Sequence, residues 1–384
     1  MSRALIWVQS LLGSGHLRRA LVIADALAGE GFAVTVANGG PPPSGPCPAG
    51  VDLVQLPPVR AGDAGFGTLV DADGAPVSDA LFAERAARLR ALVAETAPRV
   101  LLTELFPFGR RAFHRELLPL LEALAGRRER PLLVASVRDI LVAPADPARP
   151  RAAAELARRL YDLVLVHADP RLVPFGHSFP AARMLWDRLR YTGYVCAGAT
   201  GSPAPLSARR GVLVTGGGGR VAGPLLEVAL AAARRDPAGE PWRLVAGPDL
   251  DDDAFAALAR RARGAPVRLV RADPDLPRSL AAARVVVARS GYNTVVEALA
   301  AATPLVAVPF ETGRETEQRT RAERLAALGF ARLVPETALT PEALLAAVDA
   351  LRRAPPRPPR LLLDGARRTA RLLREVWARR EGRP

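Results

Sequence analysis

Two doubly wound α/β domains are what this chain predicts, and three observations carry that reading. Short apolar runs alternate with amphipathic helical stretches along the chain, the pattern stops once at a glycine- and proline-rich segment before restarting, and 384 residues are long for a single core. "ALIWVQ" reads as a buried strand, "HLRRALVIADALAGEG" as a helix closing on Gly29 and Gly31, and "FAVTVAN" as the next strand. "RVLLTE", "PLLVASV" and "YDLVLVHA" continue the alternation, each preceded by a helical stretch, as a parallel sheet covered on both faces requires. Residues 196–208, "CAGATGSPAPLSA", have the composition of a linker, so the first domain is set at 1–195. The pattern restarts with "GVLVTGGGGRVAG" and runs through "WRLVAG", "VRLV", "RVVVARSG" and "PLVAVP", which sets a second domain at 209–364. Residues 365–384 hold an arginine-rich amphipathic helix, read as a closing helix with a solvated face or, in the rival reading, as a contact with membrane. In such domains the ligand is expected in the cleft outside the carboxyl ends of the strands.

The formal charge of +14 comes entirely from arginine, since no lysine occurs. Codon bias explains such a surface; attraction to anions is the functional alternative. The arginines are dispersed and no basic-aromatic platform accompanies them, which argues against nucleic acid and leaves nucleotide phosphates or an acidic membrane surface as partners. Cys47 and Cys196 have neither disulfide-framework nor zinc spacing, and they fit a reducing cytoplasm, with peripheral contact at the inner membrane surface as its extension. The opening "MSRALIWVQSLLGSGH" reads as a core strand rather than a targeting segment, and "ALAAATPLVAVPF", with two prolines, is too short to span a bilayer.

Two segments carry chemistry. The turn "TGGGGRVAG", Thr215 to Gly223, follows a strand and opens a helix, so the amides about Gly217 and Gly218 are placed to cradle phosphate, with Arg220 adding charge; tight-turn geometry alone accounts for the same glycines. The stretch from residue 288 to 329, "ARSGYNTVVEALAAATPLVAVPFETGRETEQRTRAERLAALG", is more specific: strand, Ser290-Gly291, Thr294, Glu297, a proline-bounded strand, then Glu317-Gln318 before a helix.

This second pattern resembles the donor-binding half of the MurG-like glycosyltransferase family 28, and the amino-terminal "GSGHLRRALVIADAL" is similar to that family's glycine-rich loop and first helix. The resemblance implies a GT-B fold, in which two Rossmann-like domains face each other. It implies an inverting, metal-independent hexosyltransferase that moves a sugar, N-acetylglucosamine or a related hexose, from a UDP-sugar to a hydroxyl acceptor, with no cofactor beyond that co-substrate. Donor contacts are then expected at Gly15, Gly217, Gly218, Arg220, Asp273, Ser290, Gly291, Thr294, Glu297, Glu317 and Gln318. Gly291 lets a helix amino terminus face the diphosphate, while Glu297, an acceptor-only carboxylate, suits a ribose diol and is otherwise a helix-dipole partner. Glu317 replaces a glutamine or histidine common in the family and Arg321 replaces an asparagine, so the sugar is left open. "ADPDL", with Asp273 and Asp275, resembles the loop that reads uracil.

In the same resemblance His16 is the base that takes a proton from the acceptor hydroxyl, with an ordinary imidazole pKa near about 6.5. A phosphate contact or helix cap is its alternative. Glu104 ends a strand of the same sheet and is the candidate to orient His16; it is equally suited to an ion pair with Arg18, Arg19 or Arg138. His114 is read as structural. "GSGHLRR" also resembles the opening loop of the UDP-sugar hydrolase of pseudaminic acid synthesis, in which water replaces the acceptor. A nucleotide-sugar-binding protein without turnover is the rival of another class.

Overall fold

The computed structural model describes residues 2–43, 45–62, 68–142, 144, 146–196, 205–218, 221–311 and 316–382. The chain divides into two compact units, residues 1–195 together with 364–384, and residues 196–363.

The first unit contains β1 (Ser2–Val8), α1 (Gly15–Gly29), β2 (Phe32–Asn38), β3 (Val51–Gln55), β4 (Arg60–Ala61), β5 (Leu69–Val70), α2 (Asp79–Thr96), β6 (Val100–Glu104), α3 (His114–Ala125), β7 (Leu132–Arg138), α4 (Arg149–Leu160), β8 (Leu163–His167) and β9 (Leu189–Tyr191). Seven strands form a parallel sheet in the order β3-β2-β1-β6-β7-β8-β9, and β4 pairs antiparallel with β5. The central strands are buried on both faces, which is why they read as unbroken apolar runs. Helix α1 buries Leu17, Ala20, Ile23, Ala24 and Leu27 at helical spacing against this sheet, and its first turn is tied down by Ser10 Oγ, which accepts from the Leu17 amide at 3.3 Å.

The second unit contains β10 (Val212–Thr215), α5 (Gly223–Ala233), β11 (Trp242–Val245), α6 (Asp252–Ala262), β12 (Val267–Val270), α7 (Leu276–Ala282), β13 (Val285–Ala288), α8 (Tyr292–Ala300), β14 (Leu305–Ala307), α9 (Glu317–Ala327), β15 (Ala331–Leu333) and α10 (Pro341–Arg353). Its six parallel strands run β12-β11-β10-β13-β14-β15, the 3-2-1-4-5-6 order of a dinucleotide-binding sheet.

Helix α11 (Gly365–Arg380) returns to the first unit, where it packs on α1. Thr369, Ala370, Leu373 and Trp377 form its buried face, and Arg371 and Arg374 on the other face reach Glu30. Nothing in the sequence signals which unit this helix joins. No helix among the described residues is long and apolar enough to cross a membrane.

Candidate active site

In each unit the strand order reverses beside the first strand, and loops that leave the strand ends at such a point diverge to opposite faces. Most of the described sequence-predicted site residues follow the strands at these two places, whereas Asp273 follows β12 and Glu317 and Gln318 follow β14.

In the first unit the reversal lies between β1 and β6, paired with Trp7 opposite Thr103. The loop after β1 carries Gly15 and His16 into the start of α1, and β6 ends on Glu104. His16 Nδ1 lies 2.8 Å from Glu104 Oε1, and the same oxygen is contacted by the Arg19 guanidinium. Arg19 stands three residues after His16 on one face of α1, so a single carboxylate clasps both. The orienting role and the ion pair therefore coexist, with Arg19 as the arginine involved. Arg19 Nη2 also lies 3.3 Å from His16 Nδ1, but the 2.8 Å contact with an acceptor-only carboxylate is shorter and charge-assisted, which favours the proton on Nδ1 and leaves the Nε2 lone pair to receive another.

The sheet extends this pair through residues that the sequence reading did not select. Ser136 on β7, in register with Glu104, donates to Glu104 Oε2 at 2.9 Å. His167 ends β8 with Nε2 2.8 Å from Ser136 Oγ and Nδ1 2.8 Å from Thr192 Oγ1. Glu104, Ser136, His167 and Thr192 are all buried. From the loop after β6, Arg110 takes a left-handed backbone (φ 60°), and its Nε donates to Gln9 O at 2.7 Å. A non-glycine residue in that region is uncommon and is held by its surroundings.

These neighbours correct the ordinary pKa expected of His16. Burial first, then the positive charge of Arg110, lower it to about 3 against the opposing pull of Glu104, although 13% of its side-chain surface remains exposed. The imidazole is neutral throughout the physiological range and is a weaker base than an exposed histidine. Burial pushes the Glu104 carboxyl up, but Arg19 and then the His16 hydrogen bond outweigh it, and the group stays well below the usual carboxylate range. Burial and then Arg19 also lower His167 to about 3. His114 stacks edge-on with Phe106, ring centroids 4.9 Å apart, consistent with a structural residue.

In the second unit the reversal lies between β10 and β13, paired with Thr215 opposite Ala288. Gly216 is required by packing, since a Cβ there would lie 2.1 Å from Ala222 Cβ, and Gly217 is required by its φ of +73°. A Cβ on Gly218 would lie 3.3 Å from an Asp249 carboxylate oxygen, which disfavours an anion on that side of the turn. Arg220 lies outside the described residues.

Gly291 differs from all three. It caps α8 with an ordinary φ of −64°, makes no side-chain cap, and a Cβ there would meet no atom within 4 Å. Neither a left-handed backbone nor internal packing demands a glycine; glycine is a common N-cap residue, and without a side chain it leaves the free amides of the helix start open to approach. Ser290, Thr294 and Glu297 are buried around this terminus, and Ser290 Oγ has no hydrogen-bond partner among the described residues.

Three expected donor contacts, Glu317, Gln318 and Asp273, have partners within the unit. Glu317 Oε1 accepts from Arg321 Nη2 at 2.7 Å, while Arg321, fully buried, also donates through Nη1 to Ser290 O at 2.6 Å. The two residues that depart from the family pattern thus pair with each other, and Arg321 braces the Ser290 loop. Gln318, half-buried, accepts from the Phe310 amide through Oε1 at 3.1 Å. Asp273 pairs with Arg243 at 2.8 Å, and Asp275 caps α7 by accepting from the Arg278 amide at 3.3 Å.

Comparison with known proteins bears on the fold and on the second unit. Residues 212–361 match the glycosyltransferase family 28 C-terminal domain. The UDP-N-acetylglucosamine--N-acetylmuramyl-(pentapeptide) pyrophosphoryl-undecaprenol N-acetylglucosamine transferase of Methylorubrum populi is 38% identical over 112 residues, 27% of this chain and 30% of the relative. The protein of the same name from Nitrosococcus oceani is 34% identical over 155 residues, 39% of this chain and 42% of the relative, so the chain spans less than half of either. Among solved structures, Acinetobacter baumannii MurG aligns over 100% of both chains (TM-score 0.58, 16% identity). The kitacinnamycin glycotransferase aligns over 100% of this chain and 99% of its own (TM-score 0.60, 19% identity). The chain therefore has the GT-B fold of these glycosyltransferases, and its second unit is similar to the glycosyltransferase family 28 C-terminal domain that residues 212–361 match.

Proposed function

We propose that the protein is an inverting glycosyltransferase in which the second unit holds a UDP-sugar and His16 of the first unit deprotonates the acceptor hydroxyl. The observation that carries this reading is the His16–Glu104 contact at the switch point of the first sheet. Glu104 holds the imidazole in the Nδ1–H tautomer and stabilises the imidazolium formed when Nε2 takes the hydroxyl proton. The acceptor oxygen then attacks the anomeric carbon as the bond to the UDP oxygen breaks. At the second unit the amides following Gly291, with the α8 dipole, receive the charge that develops on the leaving diphosphate. Glu297 accepts from the ribose hydroxyls, the Gln318 amide donates to the sugar, and the "ADPDL" loop meets uracil through its backbone, since both of its aspartates are engaged within the unit. The names of the relatives favour N-acetylglucosamine as the sugar and a lipid-linked saccharide as the acceptor to test first. Such an acceptor places the protein at the cytoplasmic face of a membrane, with the arginine surface in contact with acidic lipid. No step draws on a metal or on a cofactor besides the UDP-sugar. The hydrolase reading suggested by the first loop is not favoured by relatives named as transferases.

Calorimetric titration with UDP, UDP-N-acetylglucosamine, UDP-glucose, GDP-mannose and a dTDP-sugar, with UDP release followed in the same samples, tests the proposal. Selective binding of UDP-sugars without release is expected. Rapid release without acceptor would assign a hydrolase, and no nucleotide binding would remove the donor site.

A further inference from the structure

The buried polar chain behind the base has a direction. Ser136 has one proton. When it points to Glu104 Oε2, at 2.9 Å, the Ser136 oxygen accepts from His167 Nε2, and His167 Nδ1 accepts in turn from the Thr192 hydroxyl at 2.8 Å. The opposite order is also geometrically available: Thr192 turned to Gly193 O, His167 protonated on Nδ1, and Ser136 donating to His167 Nε2. It would strip Glu104 Oε2 of its donor in exchange for a bond of 3.4 Å to a neutral carbonyl. A charge-assisted bond to a buried carboxylate is stronger than a long neutral one, so the anion at one end sets the direction of every proton in the row.

We propose that Ser136 and His167 are positioning residues for the base, holding Glu104 in the rotamer that orients His16 through a row of hydrogen bonds that all point toward the carboxylate. The proposal rests on the reading of His16 as the base. The charged groups facing the two imidazoles are Arg19 on α1, Glu104 on β6 and Arg110 in the following loop, with Arg138 at the end of β7 acting on Arg110. Among them Glu104 is the acid, and each end of its carboxylate has a separate duty: Oε1 serves His16 and Arg19, Oε2 serves the row. With Oε2 undirected, the carboxylate is free to turn about its own axis and to give Arg19 the oxygen that His16 needs.

Nitrogen-15 spectra of the histidine-labelled full chain, together with kinetics of Ser136→Ala, His167→Gln and His167→Leu, test this. At pH 7 His167 is expected as the Nε2–H tautomer and His16 as the Nδ1–H tautomer. Ser136→Ala is expected to lower kcat about tenfold per folded molecule, with donor KM within twofold of wild type. Its His16 titrates at still lower pH, because a Glu104 carboxylate turned toward Arg19 no longer supports the imidazolium that its contact with His16 favours. Glutamine at 167 keeps a donor for Ser136 and is expected to retain more kcat than leucine. A protonated Nδ1 on His167 in the wild type overturns the proposal whether or not any variant folds, as do folded variants with wild-type kcat and an unmoved His16 titration. His16→Ala run in parallel separates the failures: if it retains full rate, the base assignment itself falls, whereas an inactive His16→Ala beside unaffected Ser136 and His167 variants removes only the positioning role.

Discussion

Glu104 Oε1 touches His16 Nδ1 at 2.8 Å and the Arg19 guanidinium at once, with 2% of the Glu104 and Arg19 side chains exposed. One buried carboxylate therefore neutralises a buried cation and orients a neutral imidazole. Glu104→Gln should uncouple these duties from donor binding. Turnover should fall at least about a hundredfold, and unfolding should become easier by about 3 kcal/mol because Arg19 stays charged without its partner. UDP affinity should not change. Steady-state kinetics, calorimetry and chemical denaturation of one preparation check all three, and an unchanged kcat would remove Glu104 from the mechanism.

The same cluster fixes a pH response. His16 and His167 titrate near 3 in the folded chain, below the unfolded value near about 6.5, so the unfolded state binds more protons as pH falls through this window. Stability should be fully present above about pH 6.5 and decline toward pH 3, and Glu104, depressed when folded, adds to the loss once pH drops below the ordinary carboxylate range. The melting temperature measured across that range should fall monotonically. kcat/KM should show no acid limb near 6.5, and a limb there would mean that His16 is not the base or is not buried as described.

Gly291→Val places side-chain atoms where the structure has open space. Stability should change by no more than about 1 kcal/mol, the scale of a helix-cap substitution. UDP-sugar affinity should fall at least tenfold, about 1.4 kcal/mol, if the diphosphate approaches this amide. Undiminished affinity in calorimetry would move the donor elsewhere.

Leu373→Ala tests the placement of the basic tail. Leu373 is fully buried in the core shared by α1 and the first sheet, so its truncation should cost about 2–5 kcal/mol. A helix held in reserve for a membrane would tolerate the change, and the denaturation midpoint reads the difference.

Much of this was legible because parallel strands covered on both faces are continuous apolar runs. "FAVTVAN" is β2 residue for residue, and the tail helix, Gly365–Arg380, starts where the expected segment 365–384 starts. The missed strands are those with weak patterns: β3 is a half-buried edge behind a proline-rich loop, β4 and β5 have two residues each, and β9 and β15 have three. Glu104 was found by reasoning that parallel strands end on one edge. His167 ends β8 on that same edge, and its spacing carried the signal, but a lone histidine at a strand end does not announce whether it faces solvent or a carboxylate. The depressed pKa of His16 was beyond sequence reasoning for a related reason: it depends on burial and on Arg110, which stands 94 positions away in the chain and arrives through a left-handed turn. The inward turn of Glu317 was equally hidden, although Arg321 follows it by one helical turn, because burial is what converts that spacing into a structural pair.

The central claim is that donor binding and proton abstraction belong to different units, and His16→Ala addresses it most directly. UDP-N-acetylglucosamine affinity should equal that of wild type by calorimetry, while transfer of labelled sugar to a lipid-linked saccharide acceptor falls at least about a hundredfold. Full transfer activity in folded His16→Ala would contradict the account.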